Sequence, residues 1–309
     1  MNKKIYYRGK IGTYWYNFTE GLAYTILHRP TPKFCDYEKI KYGDEKMQYI
    51  NCCTLKKTIG GKKPVFIYIH GGGWVSGITE MRDTYVAEWA KRGFATFSIS
   101  YTYAPEKVYP AQVGEICAAI DKIYELADIR ELDMSRIVLA GESAGGYYIM
   151  RLAEFAADKT LAEKTGVVFR NNDKFKVNAI VSNCGCFDLK NLLDPKKEQH
   201  HFPDIKMMVS SYLGMSVKDA KAYLETESGA MSYPHVTADF PPAFIIWAER
   251  DWLRYEAFDL MNTYRDLGLD YDAFKGTGLI GLHGWPIATF VPEGGKCLEK
   301  AYEFVKKYL

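Results

Sequence analysis

Short runs of β-branched and aromatic residues alternate with longer segments of helical periodicity over most of the 309 residues. This alternation is typical of a mainly parallel sheet that is covered by helices. We predict core strands at residues 65–70, 95–101, 136–140, 177–183, 243–248 and 271–275, and an earlier antiparallel strand at 47–55. The predicted helices are 83–91, 111–127, 145–157, 255–267 and 296–308. The sequence therefore predicts an α/β protein with a mostly parallel central sheet.

Two regions do not follow the alternation: residues 1–35 and residues 188–240. The second region falls between two core strands, at the sheet edge where open α/β folds bind ligands. We therefore predict one core, made of residues 36–187 and 241–309, with residues 1–35 and 188–240 forming a cap. Aromatic residues of the cap suit the apolar wall of a pocket, although the packing face of a cap helix has the same composition. In the first region they are Tyr14, Trp15, Tyr16 and Phe18.

The segment Gly141-Glu-Ser-Ala-Gly145 has the pattern G-x-S-x-G between a predicted strand and a predicted helix. In this context the serine lies on a sharp, strained turn that exposes its hydroxyl group, and the glycines allow strand and helix to approach. Ser143 is therefore a candidate nucleophile. The alternative is a glycine-rich turn with a capping serine.

A second glycine-rich segment, His70-Gly-Gly-Gly-Trp74, follows the strand predicted at 65–70. Attack on an acyl carbon creates an oxyanion, which preplaced backbone N–H groups can stabilise. A phosphate-binding loop is the alternative, but no G-K-[ST] follows and no G-x-G-x-x-G opens a helix here.

Together these segments resemble the motifs of the hormone-sensitive-lipase-like esterases of the α/β-hydrolase superfamily. Tyr101-Thr-Tyr-Ala-Pro-Glu106 is similar to that family's Y-R-L-A-P-E, although Thr102 and Tyr103 stand where Arg and Leu are common. Ala248-Glu-Arg-Asp-Trp-Leu-Arg254 is similar to its acid-bearing segment. The resemblance covers about residues 60–309 and implies an α/β-hydrolase fold and a serine carboxylic ester hydrolase that needs no cofactor.

In this superfamily the catalytic serine, acid and histidine follow one another in that order along the chain. The acid and the histidine are therefore expected after Ser143, toward the end of the chain. Of six histidines, His283 follows every plausible acid, so we predict it as the base. Asp251 matches the family's acid, and Glu249 is its competitor. The implied oxyanion donors are the N–H groups of Gly72, Gly73 and Ala144.

The expected substrate is a small-molecule ester, with short acyl chains on small or medium alcohols implied by the resemblance. Acetylated carbohydrates stay open, because aromatic rings also stack on sugars. We expect four side chains to contact the substrate: Trp74, Phe187, Tyr212 and Trp285. An amidase or formamidase is one alternative. A ligand-binding protein without turnover is another, which retention of Ser143, Asp251 and His283 argues against.

Charge and cysteine content argue against other classes of protein. The chain has 40 Lys and Arg against 38 Asp and Glu, interspersed along its length, so we expect neither a nucleic-acid nor a membrane partner. The seven cysteines lack paired C-x-x-C spacing, and the His200-His201 pair lacks a third well-spaced ligand, so we expect free thiols and no metal. No apolar signal segment is apparent, which predicts a cytoplasmic location. A homo-oligomer is left open.

Overall fold

The computed structural model of the chain describes residues 3–27, 32–55, 60–194 and 205–309, with the backbone alone for residues 19–27. His200, His201 and Phe202 lie outside the described residues. Within them, eight strands form one sheet in the order β1-β2-β4-β3-β5-β6-β7-β8. The strands are β1 Cys35–Lys41, β2 Tyr49–Leu55, β3 Lys63–Ile69, β4 Ala95–Ile99, β5 Leu132–Glu142, β6 Ala179–Asn183, β7 Ala243–Ala248 and β8 Tyr271–Gly276.

Strands β3 to β8 pair in parallel, whereas β2 pairs antiparallel with both β1 and β4. The prediction of a mostly parallel α/β sheet is therefore confirmed. Strand β1 was not predicted, because most of its side chains are exposed or only partly buried and it has no hydrophobic alternation. Strand β5 begins four residues before its predicted start. The additional residues pair with β3 on the far side of a register shift between Pro64 and Val65.

Eleven α-helices accompany the sheet in the described residues: α1 Lys3–Leu27, α2 Asp83–Lys91, α3 Ala111–Glu125, α4 Ala144–Ala157, α5 Leu161–Lys164, α6 Leu189–Leu193, α7 Ile205–Leu213, α8 Val217–Leu224, α9 Glu227–Ala230, α10 Arg254–Asp266 and α11 Pro292–Val305. Helix α11 begins at Pro292, earlier than predicted, because proline is well suited to the first turn of a helix. Four of these helices, α6 to α9, lie between β6 and β7 in the predicted cap segment.

Helices cover both faces of the sheet. On β3, Ile67 and Ile69 belong to one buried cluster, whereas Phe66 and Tyr68 belong to the other. Phe66 stacks on Trp89 of α2, with ring centroids 4.4 Å apart. Strands that are buried on both faces have continuous apolar runs, which explains why β3 could be predicted from the sequence.

Helix α1 packs closely on helix α7 and on the loop around Pro105. A Cβ atom on Gly9 would lie 2.9 Å from the Ser211 hydroxyl oxygen, and one on Gly12 would lie 2.5 Å from the Met207 methyl carbon. The Thr13 hydroxyl group donates a hydrogen bond to the Ala104 carbonyl at 3.1 Å. The two regions outside the predicted core therefore contact each other through α1 and α7.

Candidate active site

Ser143 lies between the end of β5 and the start of α4, with φ 52° and ψ −120°. A Cβ atom on Gly141 would lie 2.5 Å from the Gly145 carbonyl oxygen, and one on Gly145 would overlap the Ile69 carbonyl. Glycine is therefore required on both sides of the turn. This is the sharp strand-to-helix turn that the sequence predicted, and it leaves the serine partly exposed.

The His70–Trp74 loop lies directly against this turn. A Cβ atom on Gly71 would lie 3.0 Å from the Ser143 Cβ atom. Gly72 and Gly73 have φ of 109° and 58°, which glycine adopts without strain. Their N–H groups bond to no acceptor among the residues that the structure describes. Two unpaired N–H donors therefore lie beside the serine.

Neighbouring aromatic residues hold this loop in position. The Tyr101 hydroxyl group donates to the His70 carbonyl at 3.1 Å, and the Tyr103 hydroxyl group donates to the Gly77 carbonyl. The Ala104 N–H donates to the Trp74 carbonyl at 2.9 Å. Tyr103, which departs from the family pattern, thus anchors the far end of the loop. The His70 ring stacks on Tyr101 with centroids 4.5 Å apart, and burial lowers the pKa of His70, which keeps the ring neutral.

Asp251 and His283 form a hydrogen-bonded pair on the loops after β7 and β8. Nδ1 of His283 lies 2.9 Å from Oδ1 of Asp251, which also accepts the Leu253 N–H at 2.9 Å. Asp251 is fully buried. Burial raises the pKa of Asp251, but His283 and the Leu253 N–H more than offset this and the net pKa is lowered. Burial lowers the pKa of His283, but Asp251 more than offsets this and the net pKa is raised.

Glu249, the competing acid, has another partner. Its Oε1 atom accepts the Gly278 N–H at 3.0 Å, and its side chain is partly exposed. Of the two candidate acids, Asp251 is therefore the one that contacts His283.

Asn183, at the end of β6, connects the serine turn to the histidine loop. Its backbone carbonyl accepts the Ser143 N–H at 3.1 Å, and its side-chain amide donates to the Gly284 carbonyl at 3.3 Å. Sequence reasoning missed this residue. The only available signal was its place at the end of a predicted strand next to the serine strand.

Glu142 directly precedes the serine. It accepts from Arg82, with Nε to Oε1 at 2.9 Å and Nη2 to Oε2 at 2.5 Å. Gly284 lies against this ion pair, since a Cβ there would lie 3.3 Å from Arg82 Nη2. The ion pair therefore packs against the loop that carries His283. Arg82 and Glu142 lie sixty residues apart in the sequence, so no motif indicated that they are in contact.

Cys184 lies beside the Asp251–His283 pair. Its sulfur atom and one ligand-type atom each of Asp251 and His283 lie within 4.8 Å of one another. Such a trio has the composition of a metal-ligand set, but Nδ1 and Oδ1 are already engaged with each other at hydrogen-bonding distance. Burial raises the pKa of the Cys184 thiol, which therefore stays protonated, and the thiol helps to hold the pKa of Asp251 down. All seven cysteines are free and buried, as expected, but this one is not remote from the site.

Replacing Cys184 by Ala should lower kcat by about three- to tenfold with little change in KM, because the polar thiol within 4.8 Å of the buried Asp251 carboxylate is lost. Steady-state kinetics on p-nitrophenyl butyrate measure both constants. Cys184→Ser keeps a hydroxyl donor and should restore most of kcat. Equal loss in both variants would show that the sulfur fills space and does not position Asp251.

Ser143, His283, Gly72 and Gly73 all line one cavity of about 170 Å³. Its opposite wall is mostly apolar and comes partly from the predicted cap: Tyr16, Met81, Ile205, Met208 and Trp252. Trp252 also packs on His283, with ring centroids 5.3 Å apart. In the sequence, only the position of Trp252 directly after Asp251 could have indicated that it lines the cavity.

The four residues expected to contact substrate have different positions. Trp74 lines the cavity, although it is fully buried. Tyr212 is stacked behind Trp74 at 5.1 Å and does not reach the cavity wall. Phe187 packs against Gly146 and Gly185, and Trp285 contacts Phe290, so neither lines the cavity. The directions of these side chains depend on tertiary packing, which motif spacing does not encode.

The sheet order, the serine on a sharp turn after β5 and the histidine after the last strand define an α/β-hydrolase. The BD-FAE family model matches residues 53–255, more than half of the chain, and the chain therefore belongs to the BD-FAE family. The predicted likeness to hormone-sensitive-lipase-like esterases is confirmed as well. Hormone-sensitive lipase of Mus musculus is 28% identical over 158 residues, which cover 51% of this chain and 20% of that protein.

A putative alpha/beta hydrolase, R526, of Acanthamoeba polyphaga mimivirus is 35% identical over 128 residues, which cover 40% of this chain and 36% of that protein. The matches thus span well under half of the length of these curated relatives. Among solved structures, esterase B from Lactobacillus rhamnosis has a TM-score of 0.75 at 18% identity, with 97% of this chain and 94% of that chain covered. A bacterial heroin esterase has a TM-score of 0.73 at 21% identity, with 94% and 90% covered. At these identities the structural likeness supports the fold alone.

Proposed function

We propose that this protein is a serine carboxylic ester hydrolase that acts on short acyl or acetyl esters through an acyl-enzyme. One observation carries the proposal: a serine on a strained turn, a histidine paired with a buried aspartate and two unpaired N–H donors line the same cavity. Each of these is a separate requirement of acyl transfer. The esterase names of the structural neighbours agree with it.

The first half-reaction begins when Nε2 of His283 takes the Ser143 proton, since Nδ1 of the same ring is held by Asp251. The serine oxygen then attacks the acyl carbon. The oxyanion accepts hydrogen bonds from the N–H groups of Gly72, Gly73 and Ala144. Ala144 begins the 14-residue helix α4, whose positive dipole end adds to this stabilisation.

The tetrahedral intermediate collapses when His283 gives its proton to the departing alcohol. Water enters after the alcohol has left, and His283 takes a proton from it as it attacks the acyl-enzyme. A second tetrahedral intermediate then breaks down to the free acid and Ser143. Asp251 keeps its negative charge throughout and stabilises the protonated ring of His283.

Cavity size supports the preference for short acyl groups. A volume of about 170 Å³ is below the range of typical drug-sized ligand pockets, roughly 300–1,000 Å³. Met208 of α7 closes the cavity over Gly73, where a Cβ atom would overlap its sulfur. Met208 therefore limits the length of acyl chain that the site accepts.

We expect p-nitrophenyl acetate and butyrate to be hydrolysed with kcat/KM at least tenfold above that of the octanoate. Met208→Ala should raise kcat/KM for the octanoate by about tenfold relative to butyrate, because deleting the side chain enlarges the pocket. Met261→Ala on α10, remote from the cavity, is the matched control and should leave the ratio unchanged. A parent protein that prefers the octanoate would contradict the short-chain assignment. Faster cleavage of p-nitroacetanilide than of the acetate ester would make the protein an amidase.

A further inference from the structure

Helix α1 has two faces with different environments. Gly9, Gly12, Thr13 and Tyr16 recur at helical spacing and face the protein body, where Tyr16 lines the candidate active-site cavity. The opposite face carries five large apolar side chains at helical spacing: Tyr7, Ile11, Tyr14, Trp15 and Phe18. These five residues are called the outer stripe. Tyr14, Trp15 and Phe18 were candidates for a pocket wall or for a packing face, and the structure instead directs them outward.

The outer stripe is exposed along its whole length. Its members are between 57% and 76% exposed, and the rings of Trp15 and Phe18 are 6.4 Å apart. Five such side chains present roughly 600 Å² of continuous, mainly apolar surface, the upper end of what monomers usually expose. Of the other exposed large apolar residues, Ile129 and Val168 lie on separate loops, and Leu279 and Leu282 are the closest to each other in the sequence. The outer stripe is therefore the densest group of exposed apolar side chains among the described residues.

Basic residues border the stripe on its N-terminal half. Lys3, Lys4 and Arg8 are exposed and occupy positions beside or between members of the stripe on the helix surface. Lys206 of α7 and Arg8 line the same surface depression. Lys10, in the same part of the helix, is paired with Glu106. The whole-chain charge of +2 hides this local concentration of one sign.

We propose that the outer stripe of α1 binds the surface of an anionic lipid layer and holds the cavity mouth there. Trp, Tyr and Phe side chains bordered by Lys and Arg are the composition of helices that lie in a membrane interface. Among the described residues no helix is long and apolar enough to cross a membrane. A second copy of the same face would bring further basic residues to it, whereas anionic headgroups complement its charge.

This inference deepens the proposed function, because Tyr16 on the inner face links the same helix to the ester-binding cavity. Attachment through the outer stripe would supply the cavity with esters that partition into the lipid surface. Binding itself does not require catalysis. A Ser143→Ala protein should therefore bind lipid as well as the parent does, which separates a failure of this inference from a failure of the esterase assignment.

Co-sedimentation of the full chain with vesicles tests the inference. One set of vesicles contains phosphatidylcholine alone, and the other contains three parts phosphatidylcholine and one part phosphatidylglycerol. We expect binding to the second set that weakens as salt is raised. A double variant, Lys3→Gln with Arg8→Gln, should bind roughly 25-fold more weakly, since each basic residue near such a surface contributes about a fivefold gain.

The double variant Trp15→Ser with Phe18→Ser should lose at least tenfold in vesicle affinity while its hydrolysis of soluble p-nitrophenyl butyrate stays at the parent rate. Ile129→Ser with Val168→Ser, which removes equally exposed apolar side chains elsewhere, is the matched control and should bind like the parent. Unchanged binding by the stripe variant, or no binding by the parent, overturns the inference. A parent that is dimeric by light scattering, becomes monomeric in the stripe variant and ignores vesicles would assign the stripe to a second copy of the chain.

Discussion

Ser143→Ala should lower kcat on p-nitrophenyl butyrate by about 10⁴- to 10⁶-fold, because the variant lacks the oxygen atom of the proposed acyl-enzyme. The remaining turnover would come from binding and from the N–H donors of the glycine loop. The side chain of Ser143 makes no capping hydrogen bond to helix α4, so the unfolding temperature should change by no more than about 2 °C. Spectrophotometric kinetics and a thermal melt measure the two effects.

A matched control for this substitution is Ser182→Ala. Ser182 is fully buried on β6, close to the serine turn, and its hydroxyl group also lacks a hydrogen-bond partner among the described residues. This variant should keep parent-like activity. Intact-mass analysis after treatment with a fluorophosphonate should find one adduct on the parent and on Ser182→Ala, and none on Ser143→Ala. An adduct on Ser143→Ala, or equal rates for Ser143→Ala and the parent, would move the nucleophile elsewhere.

Asp251→Asn should lower kcat by about 10⁴-fold, because the amide cannot hold the His283 tautomer that accepts the serine proton. Asp251 also raises the pKa of His283. Since the base must be unprotonated, kcat/KM of the parent should rise with pH through a midpoint above 6.5, the ordinary histidine value. Without the carboxylate that midpoint should move to lower pH. A kcat/KM profile between about pH 5 and 9 measures both the loss and the shift.

Glu249→Gln provides the comparison, because the amide oxygen can still accept the Gly278 N–H. Its kcat and its pH profile should match those of the parent. Large losses in Glu249→Gln together with an active Asp251→Asn protein would exchange the roles of the two carboxylates. Circular dichroism of each variant confirms that a change in activity is not a loss of fold.

The parts of this molecule that could be predicted from sequence are those that local backbone chemistry dictates. The serine turn needs glycine at 141 and 145 because backbone atoms of β3 and α4 occupy the space of a side chain, and the motif preserves that requirement. Strand β7 and helix α2 were predicted with their observed ends, because each is a clear apolar run or amphipathic segment. Strand β1 was missed, because an exposed edge strand has no such pattern.

Contacts between distant segments could not be predicted in the same way. The Arg82–Glu142 ion pair, the approach of Cys184 to Asp251 and the position of Met208 over Gly73 join residues far apart in the chain. Side-chain direction on α1 likewise depends on which face meets α7. Composition therefore suggested an aromatic cap, but only the packed structure separates Tyr16 from its outward-facing neighbours.

The proposed catalytic groups and the apolar wall of the cavity come from different parts of the chain. Ser143, Asp251 and His283 follow strands of one sheet, whereas Ile205 and Met208 belong to a helix inserted between β6 and β7. Because that insertion contributes no strand to the sheet, we expect its exchange to leave the strand order and the register around the serine intact. Under the proposed function, laboratory evolution aimed at new esters should therefore concentrate its mutations in α7.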